Sequence, residues 1–213
     1  MALDGTYSGL QASVADWLNR ADLTTQITDF IALGEARVNR VLRVLQMETF
    51  STGASSTSAQ GFGTVGFPTD WLQTRTLRLA NPTRGQQLLE YVGEEELDDL
   101  QTQGLTGNTR YYTIINGEFQ LLPAPSASVN YVLRYYAKIP ALSVSNTSNW
   151  LLLKSPDLYL YSSLLGAEAY LKDDERLTIW GAAQQTIMTE MQLESEQAKR
   201  STTRLVAKRA TFG

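Results

Sequence analysis

The chain has 213 residues, 43% of them apolar and 19% charged, with a net charge of -4 at neutral pH. That length suits one to two domains, and the apolar share is enough for a buried core. There is no histidine and no cysteine, which excludes Ser-His-Asp and Cys-His catalysis, zinc-finger and thiolate metal sites, disulfides and imidazole pH switches. The acidic balance argues against a binder of phosphate backbones. The N-terminus lacks the basic and apolar runs of a secretory signal, and no stretch has the roughly 18 apolar residues of a membrane span.

Residues 1–50 read as helix. Leu10, Val14, Trp17 and Leu18 recur at three-to-four spacing and form one apolar stripe. Asp22 or Thr24 is placed to cap a second helix, along which Ile27, Phe30, Ile31, Val38, Val41, Leu42 and Leu45 keep a helical period. Gly34 weakens that helix by about 1 kcal/mol against alanine, which points to close packing there. Arg37, Arg40 and Arg43 lie on its polar side.

Residues 51–66 are rich in Ser, Thr and Gly and predict a flexible loop or a weakly paired hairpin. From Phe67 to about Pro140 the period becomes two. Phe67 to Leu72 predicts a turn, Thr76 to Leu79 and Leu88 to Val92 predict strands, and Asn81 to Gly85 predicts a turn. Glu94 to Leu100 predicts one short helix. Tyr111 to Ile115 meets Glu118 to Leu122 across Asn116-Gly117, the pattern of a type I′ hairpin. Val129 to Lys138 supplies another strand. Helix resumes after the polar stretch Ser143 to Asn149, with Pro156 at a first helical position. Leu158, Tyr161, Leu164, Leu165 and Ala169 form a stripe there. Asp173 is placed to cap a last helix on which Leu177, Trp180, Ala183, Ile187 and Met191 recur.

The expected fold class is α+β: a helical bundle formed by both ends of the chain, with an inserted antiparallel β module. The expected domains are a bundle from residues 1–50 and 150–200, a β module over 51–149 with a flexible loop at 51–66, and a C-terminal tail at 201–213.

Several motifs have plain readings. Gly61 to Gly66 spells G-x-G-x-x-G, but a Ser-rich run precedes it and Phe67-Pro68 follows, not the strand and helix of a phosphate cradle. The Glu94 to Asp99 cluster suits the positive end of a helix dipole better than a glycosidase pair or a metal site. Tyr111, Tyr112, Tyr131, Tyr135 and Tyr136 are expected to pack across strands. No catalytic, cofactor-binding or metal-ligating set is expected. The C-terminal run Lys199, Arg200, Arg204, Leu205, Lys208, Arg209 and Phe212 mixes basic charge for steering with apolar anchors, and three readings stay open for it: a solvated, frayed tail, a segment that orders on a partner, and a contact with nucleic acid.

Six patches of the chain resemble a known family. They are Val14-Ala15-Asp16-Trp17-Leu18-Asn19-Arg20 followed by Ile27 to Arg40, then Phe67-Pro68-Thr69-Asp70-Trp71-Leu72, Arg134-Tyr135-Tyr136-Ala137-Lys138-Ile139-Pro140, Asn149-Trp150-Leu151-Leu152, and Pro156-Asp157-Leu158-Tyr159-Leu160-Tyr161. In this order they resemble the head-to-tail adaptor, or connector, proteins of tailed bacteriophages, especially those with short tails. The resemblance implies a structural protein of the virion, assembled in the host cytoplasm, with no enzyme activity and no membrane association. It implies a ring, commonly of twelve subunits, beneath the portal protein. The C-terminal segment would reach into the portal, and the other face would receive the tail or nozzle. DNA would pass through the channel without specific binding. Arg37, Arg40 and Arg43 are then candidates for the subunit interface, and Lys199 to Phe212 for portal docking. Two other classes remain open on the residues alone: a module that binds a glycan or protein through its tyrosine-rich β region, and a small carboxylate-dependent hydrolase.

Overall fold

The computed structural model describes residues 3–58, 61–81, 85–170 and 175–201. In chain order its elements are α1 (Tyr7–Leu18), α2 (Thr24–Val41), β1 (Glu48–Ala54), β2 (Ser56–Thr57), β3 (Gly63–Gly66), β4 (Trp71–Asn81), β5 (Gly85–Leu88) and β6 (Glu90–Tyr91). There follow α3 (Glu94–Thr102), β7 (Tyr111–Ile115), β8 (Glu118–Leu122), β9 (Asn130–Ala137), α4 (Trp150–Lys154), α5 (Pro156–Gly166) and α6 (Arg176–Ser201). The class is α+β, with helices at both ends and strands in the centre. The chain divides into two compact units, Met1–Gln46 with Ile139–Gly213, and Met47–Lys138.

The helical unit is organised around α5. Pro156 occupies its first turn, where a missing N–H costs nothing. Leu158, Tyr159, Leu160, Ser162, Ser163 and Leu164 are all buried. Six consecutive or near-consecutive buried positions exceed one amphipathic stripe, so the stripe expected for this segment is too narrow. The physical reason is that α5 packs against α1, α2, α4 and α6 at once. The buried serines are satisfied inside: Ser163 Oγ donates to Tyr159 O at 2.7 Å, and Gln184 Nε2 donates to Ser162 Oγ at 2.7 Å.

The approach of α2 to α5 is close enough to dictate residue type. A Cβ on Gly34 would lie 2.9 Å from the Ser162 carbonyl carbon, and one on Gly166 would lie 2.7 Å from Phe30 O. The packing inferred from Gly34 is thus found. On α6 the buried positions are Trp180, Gln184, Met188, Met191 and Ser195, a helical stripe rotated slightly from the expected one.

Three local expectations differ. Helix α2 ends at Val41, not near residue 50, and β1 begins at Glu48. Leu42 is extended, and Arg43 Nη1 donates to Asn39 O at 2.8 Å and Leu42 O at 2.6 Å, which satisfies carbonyls that the helix end leaves free. Val41 and Leu45, read as stripe, are exposed. The start of α2 is Leu23 without a side-chain cap, because Asp22 pairs with Arg20 at 2.6 Å, an ion pair that holds the Asp22 pKa down to about 2. Of the two readings of 51–66, the short hairpin is found, Ser56 and Thr57 pairing antiparallel with Thr64 and Gly63, but strand extends beyond it. Residues Ser51 to Ala54 pair with β9, and Gly63 to Gly66 with β8. The small residues fit close neighbours: a Cβ on Gly53 would lie 2.9 Å from Tyr131 Oη.

The β unit is two sheets and a helix. The first sheet has the order β1-β9-β4-β5 and the second β2-β3-β8-β7-β6. Val65, Leu77, Leu79, Leu89, Tyr112, Phe119, Leu121, Leu133 and Tyr135 pack between them. The other face of the second sheet carries Leu122 and Tyr111, which pack with Leu97 of α3. The layers therefore run first sheet, second sheet, α3. Asn116 and Gly117 have positive φ of 51° and 77° and join β7 to β8, as their dipeptide predicts. Tyr135 donates to Asp70 Oδ1 at 2.9 Å, and burial pushes its phenol up to about 12.

Replacing Gly166 by alanine is expected to lower stability by about 1 to 3 kcal/mol, because backbone must move. Gly181 on α6 has open space, and its alanine variant should gain about 0.5 to 1 kcal/mol. Urea unfolding of both variants checks the pair, and equal losses would contradict the packing of α2 on α5.

Candidate functional surfaces

Among the described residues Glu35 is the charged side chain that is buried. It sits on α2 between Ile31 and Val38, inside the apolar stripe, and is 9% exposed. Glu35 Oε1 accepts from Leu142 N at 2.8 Å and from Tyr159 Oη at 3.0 Å. Asn149 Nδ2 donates to Tyr159 Oη at 2.6 Å, and one turn beyond Glu35, Asn39 Oδ1 accepts from Ile139 N at 2.9 Å. Asn149 also caps α4 through its Oδ1, which accepts from Leu152 N at 2.9 Å. Two side chains of α2 thus grip the backbone of the segment that returns from β9 to the helices. Burial raises the Glu35 pKa, partly offset by the two hydrogen bonds, and burial likewise raises the Tyr159 phenol. This arrangement fixes a chain: Glu35 Oε1 and Asn39 Oδ1 are taken up by the backbone of Leu142 and Ile139.

Of the residues singled out in the sequence, Arg37 and Arg40 are exposed on α2. With Leu33, Ser162, Leu165, Gly166 and Glu168 they line a groove of about 530 Å³. Leu33 is 57% exposed there. Arg43 is brought to a different place, half-buried at the end of α2 and bonded to its own chain. Lys199 and Arg200 lie in the last turn of α6, where basic side chains meet the negative end of the helix dipole, and Arg200 is 3.5 Å from Glu196. Arg204, Leu205, Lys208, Arg209 and Phe212 lie outside the described residues, as does Asp173.

The five tyrosines of the β unit divide by burial: Tyr112, Tyr135 and Tyr136 are buried, and Tyr111 and Tyr131 are half-buried. They are packing residues, as expected. Among the described residues no group of three or more carboxylates converges as a metal site would require, and no helix is long and apolar enough to cross a membrane. Residues 61–66 run into strand β3 and then β4, so no helix follows the glycine pattern.

A family model matches residues 5–208, nearly the whole chain, and describes the SU10 adaptor protein. The chain belongs to that family. No curated relative matches it. Family membership makes the chain a bacteriophage adaptor, a structural component of the virion, in accord with the head-to-tail adaptors that its sequence resembles. In this adaptor the exposed face of α2 and the end of α6 are the surfaces that the sequence singled out. Sequence reading missed Glu35, Asn39, Asn149 and Tyr159. The signal was present at Glu35, a carboxylate at a stripe position, where a charge requires a buried partner.

The buried carboxylate sets a pH dependence. Glu35 has an ordinary value of 4.5 and a raised one in the fold, so the folded state binds its proton more tightly. Its contribution to stability therefore falls as pH rises from the ordinary value through the raised one, and is level above that. In Glu35→Gln this slope should vanish, as read from urea midpoints between about pH 4 and 7. Glu35→Leu strands two donors and should lose about 1 to 3 kcal/mol for each.

Proposed function

We propose that the adaptor assembles as a ring of twelve copies beneath the phage portal, extends the DNA channel, and presents its far face to the tail or nozzle. The match to an adaptor family over residues 5–208 carries this reading. The net charge of -4 is compatible with a channel that passes DNA without gripping it, since tight binding would need a lining of lysine and arginine. It is a structural protein and not an enzyme. The portal and the tail are its partners, it needs no cofactor, and it is assembled in the host cytoplasm before entering the virion.

Two surfaces serve this assembly. The groove of Arg37 and Arg40 with Leu33 on α2 forms part of a contact between neighbouring subunits, where an exposed leucine is the anchor and the arginines select an acidic partner. Arg43, bonded to its own helix end, does not line that groove. The run Lys199, Arg200, Arg204, Leu205, Lys208, Arg209 and Phe212 docks on the portal, continuing from the end of α6.

The chain ended at Lys199 should stay folded and fail to co-sediment with portal rings, whereas the full chain co-sediments. Portal binding unchanged by the truncation would remove docking from the tail. Arg37→Glu with Arg40→Glu should leave portal binding by single copies intact and reduce the number of copies bound per portal, as read by native mass spectrometry.

A further inference from the structure

The β unit is electrically polarised across its layers. On the outer side of the first sheet, register places Phe50, Arg134 and Thr76 in one cross-strand row, and Thr52, Val132, Arg78 and Leu88 in the next. The alternate residues Leu77, Leu79, Leu133 and Tyr135 point into the core, so these two rows face outward. Phe50 is 68% exposed and Leu88 55% exposed. Arg75 is occupied on this side: it lies 3.6 Å from Glu48 and over the Tyr136 ring. Arg78 and Arg134 have neither ion pair nor hydrogen bond among the described residues, and the Arg78 Nε is shielded from solvent without an acceptor. A shielded donor without a partner is uncommon in native proteins.

The opposite outer layer is α3. Leu97 faces the second sheet, which turns Glu95 and Asp99 directly outward and sets Glu94, Glu96 and Asp98 at their sides. All five carboxylates are exposed. Local physics favours only part of this arrangement: Glu94, Glu95 and Glu96 stand in the first turn, at the positive end of the dipole. Glu94 and Asp98, and Glu95 and Asp99, are like charges at i,i+4, which repel on a helix. Asp98 and Asp99 stand toward the negative end of the dipole, and no basic residue occupies the last turn. The cost is recovered when a cation arrives from outside the unit.

We infer that the arginine face of the first sheet docks on α3 of a second copy of this chain, head to tail. This rests on the reading that the adaptor assembles with itself, and adds a contact distinct from the α2 groove. The cationic and anionic faces lie on opposite sides of the same unit, so one unit cannot satisfy both from within. A neighbour can, and its own far face is then left to receive the next copy, the heterologous repeat from which rings are built. Phe50 and Leu88 supply apolar anchors, and Arg78 and Arg134 meet the carboxylates at the edge of the desolvated area. Two arginines set among phenylalanine, valine and leucine suit a protein surface better than a track of phosphates.

The native chain has no cysteine, so disulfide capture reads the contact directly. Thr52→Cys in the Arg78 row and Thr102→Cys on the outer side of α3 leave every charge in place. Full-length chain carrying both, oxidised at low salt, should give a covalent ladder extending beyond the dimer. Chains with either cysteine alone should give none. Arg78→Glu in the doubly substituted chain should reduce the ladder about tenfold, and adding Glu95→Arg should restore it. Sedimentation of the same samples separates the two levels of the argument. Oligomers without a ladder, or a ladder indifferent to Arg78→Glu, would overturn this contact and leave the ring reading standing. A chain that stays monomeric and uncaptured at every concentration, alone and with portal, would overturn both. Salt-sensitive binding of a short DNA duplex, lost on Arg78→Glu with Arg134→Glu while self-association is unchanged, would assign the face to nucleic acid instead.

Discussion

Close contact between α2 and α5 constrains the helical unit more than any other interaction. A helix buried against four neighbours can bury much apolar surface, but only if at least one neighbour comes near enough to exclude voids. Gly34 and Gly166 make that approach possible, each standing where the other helix's backbone lies within 3 Å of a would-be Cβ. The serines of α5 follow from the same constraint. Ser162 and Ser163 are small enough for the contact and satisfy their hydroxyls through Gln184 and the Tyr159 carbonyl. With α5 fixed between α2 and α6, the unit has a rigid centre, and its outer faces are free to carry Leu33, Arg37 and Arg40.

The two ends of the chain make one unit although about ninety residues of β structure intervene, so the return of the chain must be held against a loop-closure cost that grows only slowly with length. Glu35 and Asn39 provide that hold by accepting from the backbone of Leu142 and Ile139. A buried carboxylate is a costly way to do it. It also gives specificity, since a shifted return segment would leave Glu35, Tyr159 and Asn149 without partners together.

Much of this was legible in the sequence wherever local chemistry and tertiary packing agree. Asn116-Gly117 gave its hairpin because the turn needs two positive φ angles. Pro156 marked the start of α5, and Gly34 its close neighbour. In the segment 51–66 the hairpin of β2 and β3 was legible, but its pairing with β9 and β8, distant in sequence, was not, because local β propensity is weak there. The end of α2 misled because Val41 and Leu45 continue an apolar period that Arg43 interrupts by bonding the helix's last carbonyls. The family was legible from the order of six patches. The hydrogen-bond network was not, since the bonds that Glu35 accepts span 107 and 124 residues and only Glu35 breaks a pattern. Nor was the polarity of the β unit, because the rows that join Arg134 to Thr76 and Arg78 to Leu88 exist only in the register of the folded sheet.

An adaptor whose subunits close into a ring under the portal makes a direct claim about the neck of the virion. Cryo-electron microscopy of intact particles, reconstructed without imposed symmetry around the portal axis, tests it. The account predicts twelve copies of this chain in one closed layer coaxial with the portal, with their C-terminal residues in contact with it. Copies of the chain found at tail fibres or distributed over the capsid, with no such layer at the neck, would contradict it.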